Sequence, residues 1–185
     1  ASNADPPTRS TQPPPAGDGR ICCLQTARVS VKCSDGRHVP ATVLLDSGSD
    51  RTYVSTSFVQ KTRPRHIGSI DLKYAPFGGR ASRPCTRSVF ELCVTCYDYN
   101  ACTPLTPLTA VEVPVICAPL HRQPLPPGAL RALPSPAADD YGVARNLSID
   151  ILVGLDNYWS IMSGASLRLG PGLVAQESVF GWVLS

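Results

Sequence analysis

The apolar positions of this chain fall in short runs that alternate with polar residues or stop at turn formers. Residues 24–33 alternate and are rich in β-branched side chains, which predicts a strand. Ser34-Asp35-Gly36-Arg37 then places Asp-Gly at the centre of a hairpin turn. Residues 39–45 return as a nearly continuous apolar run, the pattern of a strand buried on both faces. A short strand at 52–55 and a brief helix at 57–61 follow. Residues 67–74 and 86–97 read as two arms around a tip containing Phe77-Gly78-Gly79-Arg80. Residues 111–117 alternate again, and Pro114 pushes that strand toward a sheet edge.

Residues 118–147 are rich in proline, and a connection that long carries either a function or local structure. Within it, residues 128–133 after Pro127 predict a short helix with proline at its entry. Residues 149–153 form a buried strand, and Asp156 is placed to N-cap a helix running to Met162. Strands at 167–169 and 179–184 flank the turn Gly170-Pro171-Gly172. The sum is about eight or nine short strands with two or three short helices and no internal repeat, an all-β architecture closed or folded over into a barrel.

Composition sets the domain plan. With 43% hydrophobic and 17% charged residues among 185, the chain can bury one core but not two large ones. Residues 1–20 are rich in Pro, Ser, Thr and Gly and read as a tag scar, Ser2-Asn3-Ala4, and a disordered linker. Residues 21–185 are expected to be one domain with a Pro-rich insertion at about 118–148. Both ends read as those of a segment excised from something longer. The net charge of +3 is too mild for a nucleic-acid footprint, and Lys61-Thr62-Arg63-Pro64-Arg65-His66 reads as solvated surface. No stretch is long enough for a transmembrane helix and no signal peptide is visible.

The eight cysteines are expected to be mostly buried thiols. The best metal candidate is Cys93, Cys96 and Cys102, but residues 90–96 read as a strand, which sends Cys93 and Cys96 to opposite faces. His38, His66 and His121 lack ligand spacing, Trp159 and Trp182 read as core anchors, and Asp139-Asp140 reads as a loop charge pair. Neither a metal nor a cofactor is expected.

The tripeptide Asp46-Ser47-Gly48 carries the chemistry. A buried strand delivers an aspartate to a tight turn, with a hydroxyl residue and a glycine behind it. Carboxylate-driven peptide hydrolysis needs two carboxylates sharing one proton, one to activate water and one to hydrogen-bond the scissile carbonyl. Gly48 permits close backbone approach, and Ser47 can lock the turn. The motif occurs once, so an enzyme of this kind would draw one catalytic carboxylate from each chain and two copies would have to meet.

The segment from Leu44 to Thr52 resembles the active-site loop of retroviral-type aspartic proteases (retropepsins), and Leu152-Val153-Gly154-Leu155-Asp156 resembles their second signature. A closer resemblance is to the protease region of BEL/Pao-type LTR retrotransposon polyproteins. It is carried by Leu24-Gln25-Thr26-Ala27, Asn157-Tyr158-Trp159, Gly170-Pro171-Gly172 and Phe180-Gly181-Trp182-Val183-Leu184-Ser185.

The resemblance implies a retropepsin-like fold acting as a homodimeric aspartic endopeptidase on extended segments of a retroelement polyprotein. Asp46 would be catalytic. Ser47 would bond across the dimer axis. Gly48 and Asp50 would hold substrate backbone. Phe77, Gly78 and Gly79 would form a flap, and Leu152 and Val153 would complete the substrate site. The protein would act inside the cell, in cytoplasm or virus-like particles, without nucleic acid or membrane as partner. Two departures stand out: Leu155 occupies the position where retroviral enzymes carry an arginine that pairs with the residue matching Asp50, and residues 99–148 lengthen the chain. The alternatives are a catalytically silent domain of this fold that dimerises or binds peptides, and a zinc-stabilised interaction domain.

Overall fold

The computed structural model describes residues 23–72, 84–98, 100, 103–122, 124–125, 128–142 and 145–185. Among the described residues strands account for 52% and helices for 10%, an all-β architecture. In chain order the elements are β1 (Thr26–Lys32), β2 (His38–Leu45), β3 (Tyr53–Ser55), α1 (Thr56–Thr62), β4 (Arg65–Leu72), β5 (Cys85–Cys96) and β6 (Thr106–Val113). There follow β7 (Leu120–Arg122), β8 (Arg145–Leu147), β9 (Ile151–Val153), α2 (Leu155–Ile161), β10 (Met162–Gly170), β11 (Leu173–Ser178) and β12 (Gly181–Leu184). The first 20 residues and the tip at Phe77, Gly78 and Gly79 lie outside the described residues. No helix among the described residues is long and apolar enough to cross a membrane.

The main sheet runs β1-β2-β9-β3-β6-β5-β4, and a further β1–β5 pairing closes six of these strands into a mixed barrel. The length of β5 makes this possible. Its first half, from Cys85 to Glu91, pairs with β4, and its second half, from Cys93 to Cys96, pairs with β1. The β4–β5 hairpin therefore projects from a closed barrel. Strand β2 does not bury both faces: Val39, Ala41, Val43 and Leu45 are buried, while Thr42 and Leu44 are only half-covered. A small barrel fills its interior from alternate positions, which explains the difference. Val29, Val31, Val54, Leu92, Val94, Leu108 and Ile151 complete that interior.

Several expected elements shift. The strand around Val111 starts earlier, at Thr106, and ends before Pro114. It lies between β3 and β5, not at an edge. Pro107 is tolerated within it because β3 flanks only its far end, from Val111 to Val113. Residues 128–133 form successive turns, Arg131 N–H to Gly128 carbonyl and Leu133 N–H to Leu130 carbonyl, not a helix. Gly128 has φ +90°, which cannot begin a right-handed helix. The turn at Gly170-Pro171-Gly172 joins β10 to β11, a strand the pattern did not announce, and residues 179–180 are a turn before β12.

The Pro-rich insertion builds a small second core. Leu125 and Tyr141 pack with Leu173, Ala175, Trp182 and Leu184 of the three-stranded β10-β11-β12 sheet. Asp139, expected as a loop charge, is buried and paired with buried Arg122 at 2.5 Å. The same Asp139 carboxylate accepts from Thr26 Oγ1 at 3.0 Å and from the Asp140 N–H at 2.7 Å. Tyr141 donates its hydroxyl to the Thr26 carbonyl and accepts the Leu184 N–H, tying the insertion to β1 and β12. Burial pushes the Tyr141 hydroxyl pKa well up. Trp182 is a core residue as expected, but Trp159 is 69% exposed. It lies one position beyond buried Tyr158, about 100° around a helix whose inner face is set by Tyr158 and Ile161.

A candidate active site at the barrel crossing

Strand β9 is wedged between β2 and β3, and this sets the site. It runs parallel to β2, with Leu44 opposite Leu152 and Leu45 opposite Val153. It runs antiparallel to β3, with Tyr53 opposite Leu152. The chain from Leu45 to Tyr53 must therefore pass over the end of β9, and the Asp46-Ser47-Gly48 turn lies in that passage. Two backbone bonds pin it there: Asp46 N–H to the Val153 carbonyl at 2.9 Å, and Leu155 N–H to the Ser49 carbonyl at 2.8 Å.

Within the loop, the Gly48 N–H donates to Asp46 Oδ1 at 3.0 Å and the Ser49 N–H to the Asp46 carbonyl at 3.1 Å. The Asp46 carboxylate is thus oriented by backbone while its side chain stays half-buried. Ser47, Gly48 and Asp50 are exposed beside it. Among the described residues Asp50 makes no ion pair, and Leu155 is 47% exposed with no charge to offer. The two signature segments meet most closely at Gly154, where an added Cβ would sit 2.2 Å from the Arg51 carbonyl oxygen. Backbone cannot yield to such a contact, so only glycine fits there.

Thr52 and Asp156 lock the crossing from behind. The Asp156 carboxylate accepts from Thr52 Oγ1 at 2.6 Å and from Thr52 N–H at 3.1 Å. The Gly154 N–H and the Asn157 side-chain amide both donate to Thr52 Oγ1. Asp156 is therefore not the N-cap of α2. Gly154 holds that position without a side-chain bond, and Asp156 sits in the first turn, where a negative charge also suits the helix dipole. Gln25 adds a tie that the sequence did not reveal: it accepts from Tyr158 Oη at 2.8 Å, donates to Gln176 Oε1, and its carbonyl accepts the Leu45 N–H.

Leu152 is half-buried and lines a cavity of about 300 Å³ with Tyr53, Leu72, Val113, Ile116 and Arg87. Val153, named with it as a substrate contact, has its side chain wholly inside the barrel core and contributes only its carbonyl to the loop. The flap residues Phe77, Gly78 and Gly79 lie outside the described residues, though β4 and β5 lead toward them. Among the described residues no cluster of His, Cys, Asp and Glu has a metal-holding arrangement. Cys93 and Cys96 lie in β5 without a disulfide, and Cys102 is outside the described residues.

Asp150 stands just before β9 and anchors it to β2. Its Oδ2 accepts the Thr42 N–H at 2.9 Å and its own N–H donates to the Thr42 carbonyl at 3.0 Å. Burial pushes its pKa above the ordinary 3.8, against a smaller downward pull from the Thr42 N–H and the Lys61 charge. A raised carboxyl pKa favours the folded state below the ordinary value and loses that contribution as pH rises through the folded value. Asp150→Asn keeps an acceptor for Thr42 and removes the charge. Its melting temperature should match wild type at about pH 3 and exceed it near pH 7. A variant less stable than wild type at pH 7 would contradict this balance.

No protein-family model matches the chain, and no curated protein is detectably similar to it in sequence.

Proposed function

We propose that this protein is a retropepsin-like aspartic endopeptidase that works as a homodimer, each chain contributing one Asp46. One observation carries the reading: an Asp-Ser-Gly turn, oriented by its own backbone, crosses over a strand that ends in a glycine no other residue could replace. The half-buried carboxylate sits beside exposed Ser47 and Gly48, and Leu152 of the strand under the turn lines a cavity. Two such turns facing each other would hold two carboxylates around one water. The ionised carboxylate takes a proton from that water, the protonated one hydrogen-bonds the scissile carbonyl, and the water oxygen attacks the carbonyl carbon. Substrate would lie extended across the turn, as a strand added beneath the β4–β5 hairpin.

The substrate class implied by the family resemblance is a retroelement polyprotein, including this domain's own boundaries. Much of the segment that lengthens the chain relative to a retroviral subunit forms a Pro-rich cover on the β10-β11-β12 sheet, and none of the cover's described residues lines the Leu152 cavity. The test is cleavage of a precursor spanning the domain boundaries by wild type and by Asp46→Asn, with the variant inactive.

A further inference from the structure

We infer that the cavity lined by Leu152, the β9 residue paired with Leu44 of the strand leading into the candidate catalytic turn, receives an acidic side chain of the bound peptide, with Arg87 as its charge partner. This rests on the peptide-cleft reading above and adds a specificity to it. Tyr53, Leu72, Val113, Ile116 and Leu152 make most of the cavity wall apolar, and among the described residues Arg87 is the one charged residue lining it. Arg87 lies in β5 opposite Ile70 of β4, at the base of the projecting hairpin. Its Nε is shielded from solvent and has no hydrogen-bond partner among the described residues. Arg37, Arg65 and Arg122 each hold a carboxylate, and among the described residues Arg87 holds none.

A guanidinium cannot shed its proton, so this side chain stays charged in an apolar setting with donors to spare. Leaving the shielded Nε–H unpaired costs free energy that an incoming carboxylate recovers through charge-assisted, bidentate bonds. The apolar walls require an apolar stem to reach Arg87. Glutamate has one methylene more than aspartate to lay against Tyr53 and Leu152, so it is the better fit. Glutamine matches it in shape but not in charge, and leucine fills the space while leaving Arg87 unpaired.

The test uses a pool of octapeptides in which each position carries Glu, Gln, Leu or Lys in turn. Cleavage by the full chain is read by mass spectrometry, and retention of uncut peptides is measured on immobilised Asp46→Asn protein. Wild type should favour Glu over Gln at one position by roughly tenfold or more. Arg87→Met should erase that preference and favour Leu, and Arg87→Glu should invert it toward Lys, a gain that misfolding cannot mimic. Equal handling of Glu and Gln by wild type, or an acidic preference that survives Arg87→Met, overturns the inference. Retention of Glu peptides through Arg87 without any cleavage leaves it standing and removes the protease reading. The absence of both cleavage and selective retention overturns it.

Discussion

Asp46→Asn protein is expected to fold and melt like wild type and to cleave its precursor slower by roughly a thousandfold or more. The asparagine carbonyl can still accept the Gly48 N–H, so the turn keeps the bond that orients residue 46. The backbone ties to Val153 and Ser49 do not involve the side chain at all. What disappears is the negative charge and the capacity to share a proton, which are the two properties a carboxylate pair uses. The measurement is precursor cleavage beside a circular-dichroism melt of the same samples. Because such a pair works only with one proton on it, wild-type activity should peak at acidic pH and decline as the last proton leaves. Cleavage by Asp46→Asn at the wild-type rate, or a rate that keeps rising above neutral pH, would contradict the mechanism.

Arg122→Met should be the most destabilising single change in the Pro-rich cover, costing about 3–5 kcal/mol. Arg122 and Asp139 are both buried, and the guanidinium also donates to Thr26 Oγ1 and to the Asp140 carbonyl. Removing it strands a buried carboxylate whose other bonds, from Thr26 and the Asp140 N–H, cannot neutralise its charge. For a domain of this size the loss corresponds to a fall in Tm of roughly 10 °C. The double replacement Arg122→Met with Asp139→Leu should recover most of it, because apolar side chains can replace a buried ion pair nearly without cost. If the double variant melts no higher than the single one, the network serves something beyond charge pairing.

Features written in contiguous residues were legible in the sequence. The strand leading to Asp46, the Asp-Gly hairpin, the short helix after Ser55 and the β4–β5 arms all rest on local periodicity or turn chemistry, and they appear within a few residues of the expected bounds. The features that escaped depend on distant partners. Asp156 looks like a helix cap until Thr52, 104 residues earlier, takes its carboxylate. Asp139 looks solvated until Arg122 and Thr26 enclose it. Strand β11 carries only Leu173 and Ala175 as inward apolar positions before Gln176-Glu177-Ser178, too little alternation to stand out. Pro107 and the threonines around it disguise the start of β6, which is strand only because β5 lies alongside. In the candidate site the motif gave Asp46, Gly48 and Gly154, while Gln25, Thr52 and Arg87 have no local mark of their roles.

The central claim is that one active site takes one Asp46 from each of two chains, and subunit mixing tests it most directly. Wild-type protein at fixed concentration is mixed with a tenfold excess of Asp46→Asn protein, equilibrated, and assayed on the precursor. Random pairing leaves few wild-type pairs, so activity should fall to roughly a tenth. Activity per wild-type chain that is unchanged by the excess would contradict a site shared between two copies.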